Sequence, residues 1–91
     1  MSNYITRVEL HGATYEDYEK LHAAMASAGF TRKVRADDGT IYQLPTAEYF
    51  VDSSLDVAAI RDAARAAANT TGRSSWVLAV KSDAMAWYLA A

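Results

Sequence analysis

Residues 30–51 read Phe-Thr-Arg-Lys-Val-Arg-Ala-Asp-Asp-Gly-Thr-Ile-Tyr-Gln-Leu-Pro-Thr-Ala-Glu-Tyr-Phe-Val. Asp38-Gly39 is a tight-turn signal, because both residues reach positive φ cheaply. Phe30–Ala36 before it is an extended segment, polar on one side. Thr40–Leu44 after it is extended again, and Ala47–Val51 continues the pattern. Pro45 between them cannot donate to a ladder and predicts a bulge or an unpaired edge. The stretch therefore predicts a hairpin made of segments 30–36 and 40–51.

A helix is expected on each side of this hairpin. Upstream, Thr14 with Asp17 three residues later resembles a capping box, with Asp in place of the usual Glu. Glu16 and Asp17 place negative charge in the first turn, where the helix dipole favours it. Tyr18, Leu21, Met25 and Ala28 share one stripe at helical spacing, and Gly29 is the natural stop. Downstream, Ser53 or Ser54 is the expected cap of a second helix, with Asp56 in its first turn. Val57, Ile60, Ala64, Ala67 and Ala68 form its apolar stripe, and it is expected to end near Asn69–Gly72.

Strands lie outside the helices. Tyr4–Leu10 alternates Tyr4, Thr6, Val8 and Leu10 against Ile5, Arg7 and Glu9, a period of two that predicts a strand. Trp76–Lys81 predicts another. It is apolar on both faces, so it should be covered on at least part of each. The tail, Asp83–Ala91, carries Met85, Trp87, Tyr88 and Leu89, too much apolar surface for a free end, and is expected to dock.

The order is β-α-β-β-α-β. It predicts an α+β, ferredoxin-like single domain over residues 1–91: a four-stranded antiparallel sheet, strand order 4-1-3-2, two helices on one face, and a docked C-terminal tail. Strands 2 and 4 are then the edges. Arg32, Lys33 and Arg35 on strand 2 are charges of the kind that protect an edge.

Composition bounds the function. The chain has 91 residues, 52% apolar, of which 19 are alanine, with a net charge of −2 and no cysteine. These values exclude a disordered chain, a disulfide scaffold and a Cys-ligated zinc site. No apolar run reaches 18 residues, so no membrane span is expected. Met1–Tyr4 has no basic stretch leading into an apolar run, which predicts no secretory signal and a cytoplasmic protein. Near-neutral charge means that nucleic-acid binding would need a local basic patch.

The common catalytic signatures are missing: no Gly-rich phosphate loop, nucleophile elbow or His-Glu-x-x-His. His11 closes strand 1 and offers a general acid or base at the sheet rim; the blander reading is a turn residue bonding a nearby carbonyl. His22 reads as a packed, satisfied histidine. Asp37 and Asp38 with Glu9 or Glu48 could hold a divalent cation, yet Asp-Asp-Gly is first of all turn chemistry. The basic residues Arg32, Lys33 and Arg35, with Arg7, Arg61 and Arg65, suggest phosphate contacts, with Tyr42, Tyr49 or Phe50 stacking on bases; a solvated edge with internal ion pairs accounts for them equally. The Gly-aromatic-Gly spacing of an RNA-recognition motif is lacking.

Several runs together resemble a known family. They are Arg7-Val8-Glu9-Leu10-His11-Gly12-Ala13 with Tyr15-x-x-Tyr18 and Leu21-His22; Gly29-Phe30-x-Arg32; Asp38-Gly39-x-x-Tyr42-x-Leu44-Pro45-Thr46-Ala47-Glu48-Tyr49; and Thr71-Gly72-Arg73. They resemble the GhoS-type endoribonucleases, antitoxins of type V toxin–antitoxin systems, over about residues 4 to 88. The resemblance implies a ferredoxin-like fold similar to the small CRISPR-associated adaptation nucleases. It also implies cleavage of single-stranded messenger RNA encoding a membrane-damaging toxin. Those CRISPR-associated relatives carry a metal-binding Asp at the end of strand 1; here that region is Glu9-Leu10-His11.

A transesterification without a metal or other cofactor suits this chain better. It needs a base, an acid and positive charge for the crowded phosphate. His11, Glu9 and Arg32 are the expected catalytic residues, and Arg7, Lys33, Arg35, Tyr42 and Tyr49 the expected RNA contacts. The alternative is a non-catalytic RNA- or protein-binding module of the same fold. The expected partners are single-stranded RNA and a second copy of the chain, through a sheet edge or the tail, with no membrane.

Overall fold

A computed structural model describes residues 1–90; Ala91, the last residue of the expected tail, lies outside the described residues. The elements are β1 (Ser2–Leu10), α1 (Tyr15–Ser27), β2 (Lys33–Arg35), β3 (Ile41–Gln43), β4 (Glu48–Ser53), α2 (Val57–Asn69) and β5 (Ser75–Ser82).

The alternation read in the first strand sets the inside of the sheet. Tyr4, Thr6, Val8 and Leu10 are buried against the helices, while Arg7 and Glu9 face outward. β1 is the central strand, antiparallel to β4 on one side and to β5 on the other. The core lies between this sheet and the helices, built on Val8, Leu21, Met25, Tyr49, Ile60, Ala64 and Ala68. Thr14 caps α1 in a capping box with Asp17, and Gly29 ends it at φ 96°. Tyr18 Oη reaches back to accept the Leu10 N–H at 3.1 Å, tying α1 to the rim of β1.

The expected single four-stranded sheet is not what forms. There is a three-stranded sheet, β4-β1-β5, and a separate two-stranded sheet, β2-β3. One bridge, Thr31 with Phe50, joins the two. The expected long strand over 40–51 breaks at Leu44–Ala47. Pro45 has no N–H to give, and a turn closes from Glu48 N–H to Pro45 O at 3.1 Å. Ala47 in that turn has φ 64°, and its carbonyl accepts Val8 N–H at 3.0 Å. The chain thus changes partner: Ile41–Gln43 follows β2, and Glu48–Ser53 follows β1. The second strand shortens correspondingly, from the expected Phe30–Ala36 to Lys33–Arg35.

Two smaller expectations also change. The cap of α2 is Asp56, whose Oδ1 accepts Ala59 N–H at 2.8 Å, in place of Ser53 or Ser54. The second face of the last strand is not covered: Trp76, Leu78 and Val80 are 71%, 61% and 43% exposed. The tail does dock, across the other half of the same face. Met85–Leu89 line a cleft of about 310 Å³ with Ile5, Leu44, Pro45 and Glu48. No helix among the described residues is long and apolar enough to cross a membrane.

Candidate nucleic-acid interface

The helix-free face of the sheet starts with the outward residues of β1. Arg7 and Glu9 alternate with buried neighbours, so both project from this face. Register puts Glu9 opposite Trp76, and Arg7 between Leu78 of β5 and Glu48 of β4. His11 follows at the rim, where its backbone N–H donates to Ser74 O at 2.9 Å and continues the ladder.

Three contacts hold the His11 ring. Nδ1 lies 3.3 Å from Ser74 Oγ. Nε2 lies 3.5 Å from Glu9 Oε2. The ring meets Trp76 edge to face, with centroids 4.7 Å apart and planes at 86°. Two shallow clefts of about 200 Å³ flank the group, one lined by Arg7, Glu9, Trp76, Val77 and Leu78 and the other by Arg7, Val8, Glu9, Tyr18, Thr46 and Ala47. A carboxylate, an imidazole and an exposed indole therefore meet at one rim, and the Arg7 guanidinium borders the same cleft from the sheet face.

The other expected residues lie elsewhere. Arg32 follows Thr31, which bridges Phe50; Phe50 pairs with Ile5, six residues along β1 from His11. That is about 20 Å at the rise of a strand. Arg32 instead acts electrostatically on His22 and Tyr49, on the helix side. Its Nε is buried, without a hydrogen-bond partner among the described residues. It is not a member of the His11 cluster.

Tyr49 is 0% exposed and belongs to the core, so it has no free ring face to offer a base. Its hydroxyl makes a 2.6 Å hydrogen bond with His22 Nδ1. Burial pushes the Tyr49 phenol up to about 12, with Arg32 opposing the shift. Burial and then Arg32 hold the His22 imidazole below its ordinary range, while Glu19 works the other way. His22 is thus the satisfied histidine that its position suggested.

Tyr42 meets Trp87 of the tail edge to face at 5.7 Å. Lys33 and Arg35 are exposed on the hairpin and line a cleft of about 300 Å³ with Asn3, Phe50 and Met85. Arg35 also borders a larger one, about 460 Å³, closed by Asp83–Trp87. Asn3 is eight residues from His11 along β1, about 26 Å. Of the expected cations Arg7 is the nearest to His11 along β1, about 13 Å away at the rise of a strand, and it shares a cleft with Glu9 and Trp76. Among the described residues, Arg7, Arg32, Lys33 and Arg35 make no ion pair.

Two carboxylates have structural duties. Asp17 accepts the Thr14 N–H, which with Arg73 holds its carboxyl below the usual range despite burial. Asp38 accepts Thr40 N–H at 2.9 Å across the Gly39 turn, which lowers it likewise. Among the described residues, no group of three or more His, Cys, Asp or Glu is arranged to hold a metal ion.

Sequence reasoning overlooked Trp76 and Ser74. The signal for Trp76 was present: a strand apolar on both faces in a chain with two helices leaves one face without a layer to cover it. Ser74 carries no such signal, because only the β1–β5 register brings it to His11. No protein-family model matches the chain, and no curated protein matches it.

Proposed function

We propose that this protein is an antitoxin-like endoribonuclease that cuts single-stranded RNA without a metal ion. The observation that carries the reading is the approach of His11 Nε2 to Glu9 Oε2, 3.5 Å apart on a solvent-open rim, with Arg7 and the exposed Trp76 beside them.

The chemistry is a transesterification. The 2′-hydroxyl proton passes to the Glu9 carboxylate as the 2′ oxygen bonds to phosphorus. The bond from phosphorus to the 5′ oxygen breaks, and that oxygen takes a proton from the His11 imidazolium. The products are a 2′,3′-cyclic phosphate and a 5′-hydroxyl. Arg7 faces the charge that builds on the phosphate oxygens, and Trp76 gives a neighbouring base a surface to stack on. The messenger RNA of a membrane-damaging toxin is the target that the family resemblance implies. In this reading the working unit is a homodimer.

The alternative is a non-catalytic RNA- or protein-binding module of the same fold. It draws on the distance of Lys33 and Arg35 from His11, which spreads positive charge along a surface rather than focusing it.

End-labelled single-stranded RNA, incubated with and without chelator, separates the two. The expected result is cleavage to cyclic-phosphate ends, unchanged by chelator and reduced on the order of 10²–10⁴-fold in His11→Ala. RNA bound but uncut moves the assignment to the binding module. A folded His11→Ala variant that cuts at the parent rate removes the site.

A further inference from the structure

Among the described residues, β5 ends the three-stranded sheet and its outer side has no strand partner. The bond from His11 N–H to Ser74 O fixes which groups look outward. Hydrogen-bonded positions alternate along an antiparallel ladder, so Trp76, Leu78 and Val80 bond toward β1. The N–H and C=O groups of Ser75, Val77, Ala79 and Lys81 are left for the open edge. The same strand carries the most exposed apolar row of the sheet, Trp76, Leu78 and Val80. Its middle has none of the charges, prolines or bulges that usually guard an edge.

We propose that this edge pairs with the same edge of a second copy, antiparallel, about a two-fold axis perpendicular to the sheet at Leu78. The sequence is self-complementary in that register. Leu78 faces Leu78, Trp76 faces Val80, Val77 faces Ala79 and Ser75 faces Lys81. Just beyond the strand, Arg73 of one copy comes opposite Asp83 of the other, twice. Arg73 gives its Nε to Asp17, but its side chain remains 41% exposed and able to take a second carboxylate.

The neighbouring registers are worse. Centring on Val77 sets Lys81 against Arg73, like charges directly opposed. Centring on Ala79 sets Trp76 against Ser82 and Lys81 against Val77. The outward groups also agree with the Leu78 register: Val77 and Ala79, facing one another, both have free N–H and C=O. The result is one six-stranded sheet with all four helices on one side. A continuous apolar band from Trp76 to Trp76 runs across the seam, and the two His11 rims stand at its opposite ends.

Cysteine cross-linking tests this on the full chain, which has no cysteine of its own. At the two-fold, Leu78 occupies a non-hydrogen-bonded pair, where Cα atoms are about 4.5 Å apart, within disulfide range. Under mild oxidation Leu78→Cys is expected to link to twice the 9.9 kDa chain mass. Trp76→Cys, which faces Val80 rather than itself, is expected to stay largely unlinked. Sedimentation of the unmodified protein at micromolar concentration is expected to give the doubled mass, and Leu78→Lys, which sets two ammonium groups together on the axis, the single mass. A monomeric parent overturns the proposal, and so does equal cross-linking of the two cysteine variants. Because none of these readouts uses RNA, failure of the dimer and failure of the nuclease reading are told apart.

Discussion

Glu9 and His11 leave the same side of β1 two residues apart, and their side chains close to 3.5 Å at the rim. The approach is imposed from the neighbouring strand. Ser74 holds Nδ1 from one side, and the Trp76 ring stands edge-on against the imidazole. With Nδ1 occupied, Nε2 is the nitrogen turned toward the carboxylate.

Trp76 gives the clearest separation of binding from folding. Its side chain is largely exposed, so Trp76→Ala is expected to cost less than about 1 kcal/mol of stability. RNA affinity should fall by about 1–3 kcal/mol if a base stacks there. Paired urea titration and RNA-binding titration measure the two effects. Loss of stability with unchanged RNA binding would assign Trp76 to packing alone.

His22 makes stability depend on pH. Its folded value lies below the ordinary 6.5, chiefly through burial, so the unfolded chain takes the proton more readily. The stability it contributes is fully present above pH 6.5 and declines as pH falls below that value toward the folded one. Tyr49 acts at the other end: its contribution is present below pH 10 and is lost as pH rises toward 12. Urea midpoints from pH 8 to pH 5 should fall for the parent and fall less for His22→Gln, and the carboxylates Asp17 and Asp38 enter only at lower pH.

Thr6 is 0% exposed, and among the described residues its Oγ1 has no hydrogen-bond partner. A buried hydroxyl without a partner costs about 1–3 kcal/mol. Valine has nearly the same shape without the hydroxyl and suits a central strand. Thr6→Val is therefore expected to stabilise by about 1 kcal/mol in thermal or denaturant unfolding; destabilisation would mean that the hydroxyl is satisfied in solution.

Ala47 sits at φ 64°, a conformation costing an L residue about 1–2 kcal/mol. Glycine removes that cost but also removes a buried methyl. Ala47→Gly should leave stability within about 1 kcal/mol. Ala47→Val, β-branched in a left-handed position, should cost more than about 2 kcal/mol. Equal effects of the two variants would show that backbone conformation is not what limits this turn.

Much of the fold was legible because it rests on local physics. The alternation in Tyr4–Leu10, the Thr14–Asp17 box, the Gly29 stop and the Asp38-Gly39 turn are each decided within a few residues. The break at Pro45 was only half legible. A proline marks a place where a ladder must fail, but whether the strand bulges or changes partner depends on what lies alongside. Here Val8 supplied the donor that takes Ala47 into the β1 register.

By itself, then, the sequence determined the two helices, the central strand with its inward face and the turn at Asp38-Gly39, since periodicity and turn chemistry act over short range; that segment 40–51 divides into β3 and β4 was decided by packing. Only the tertiary structure decided which of the chemically capable side chains meet. Strand register brought Glu9, His11, Ser74 and Trp76 together from two ends of the chain. The same packing sent Arg32 to the helix side and Tyr49 into the core. A side chain's neighbours across a sheet are set by pairing over tens of residues, and no spacing along one strand encodes them.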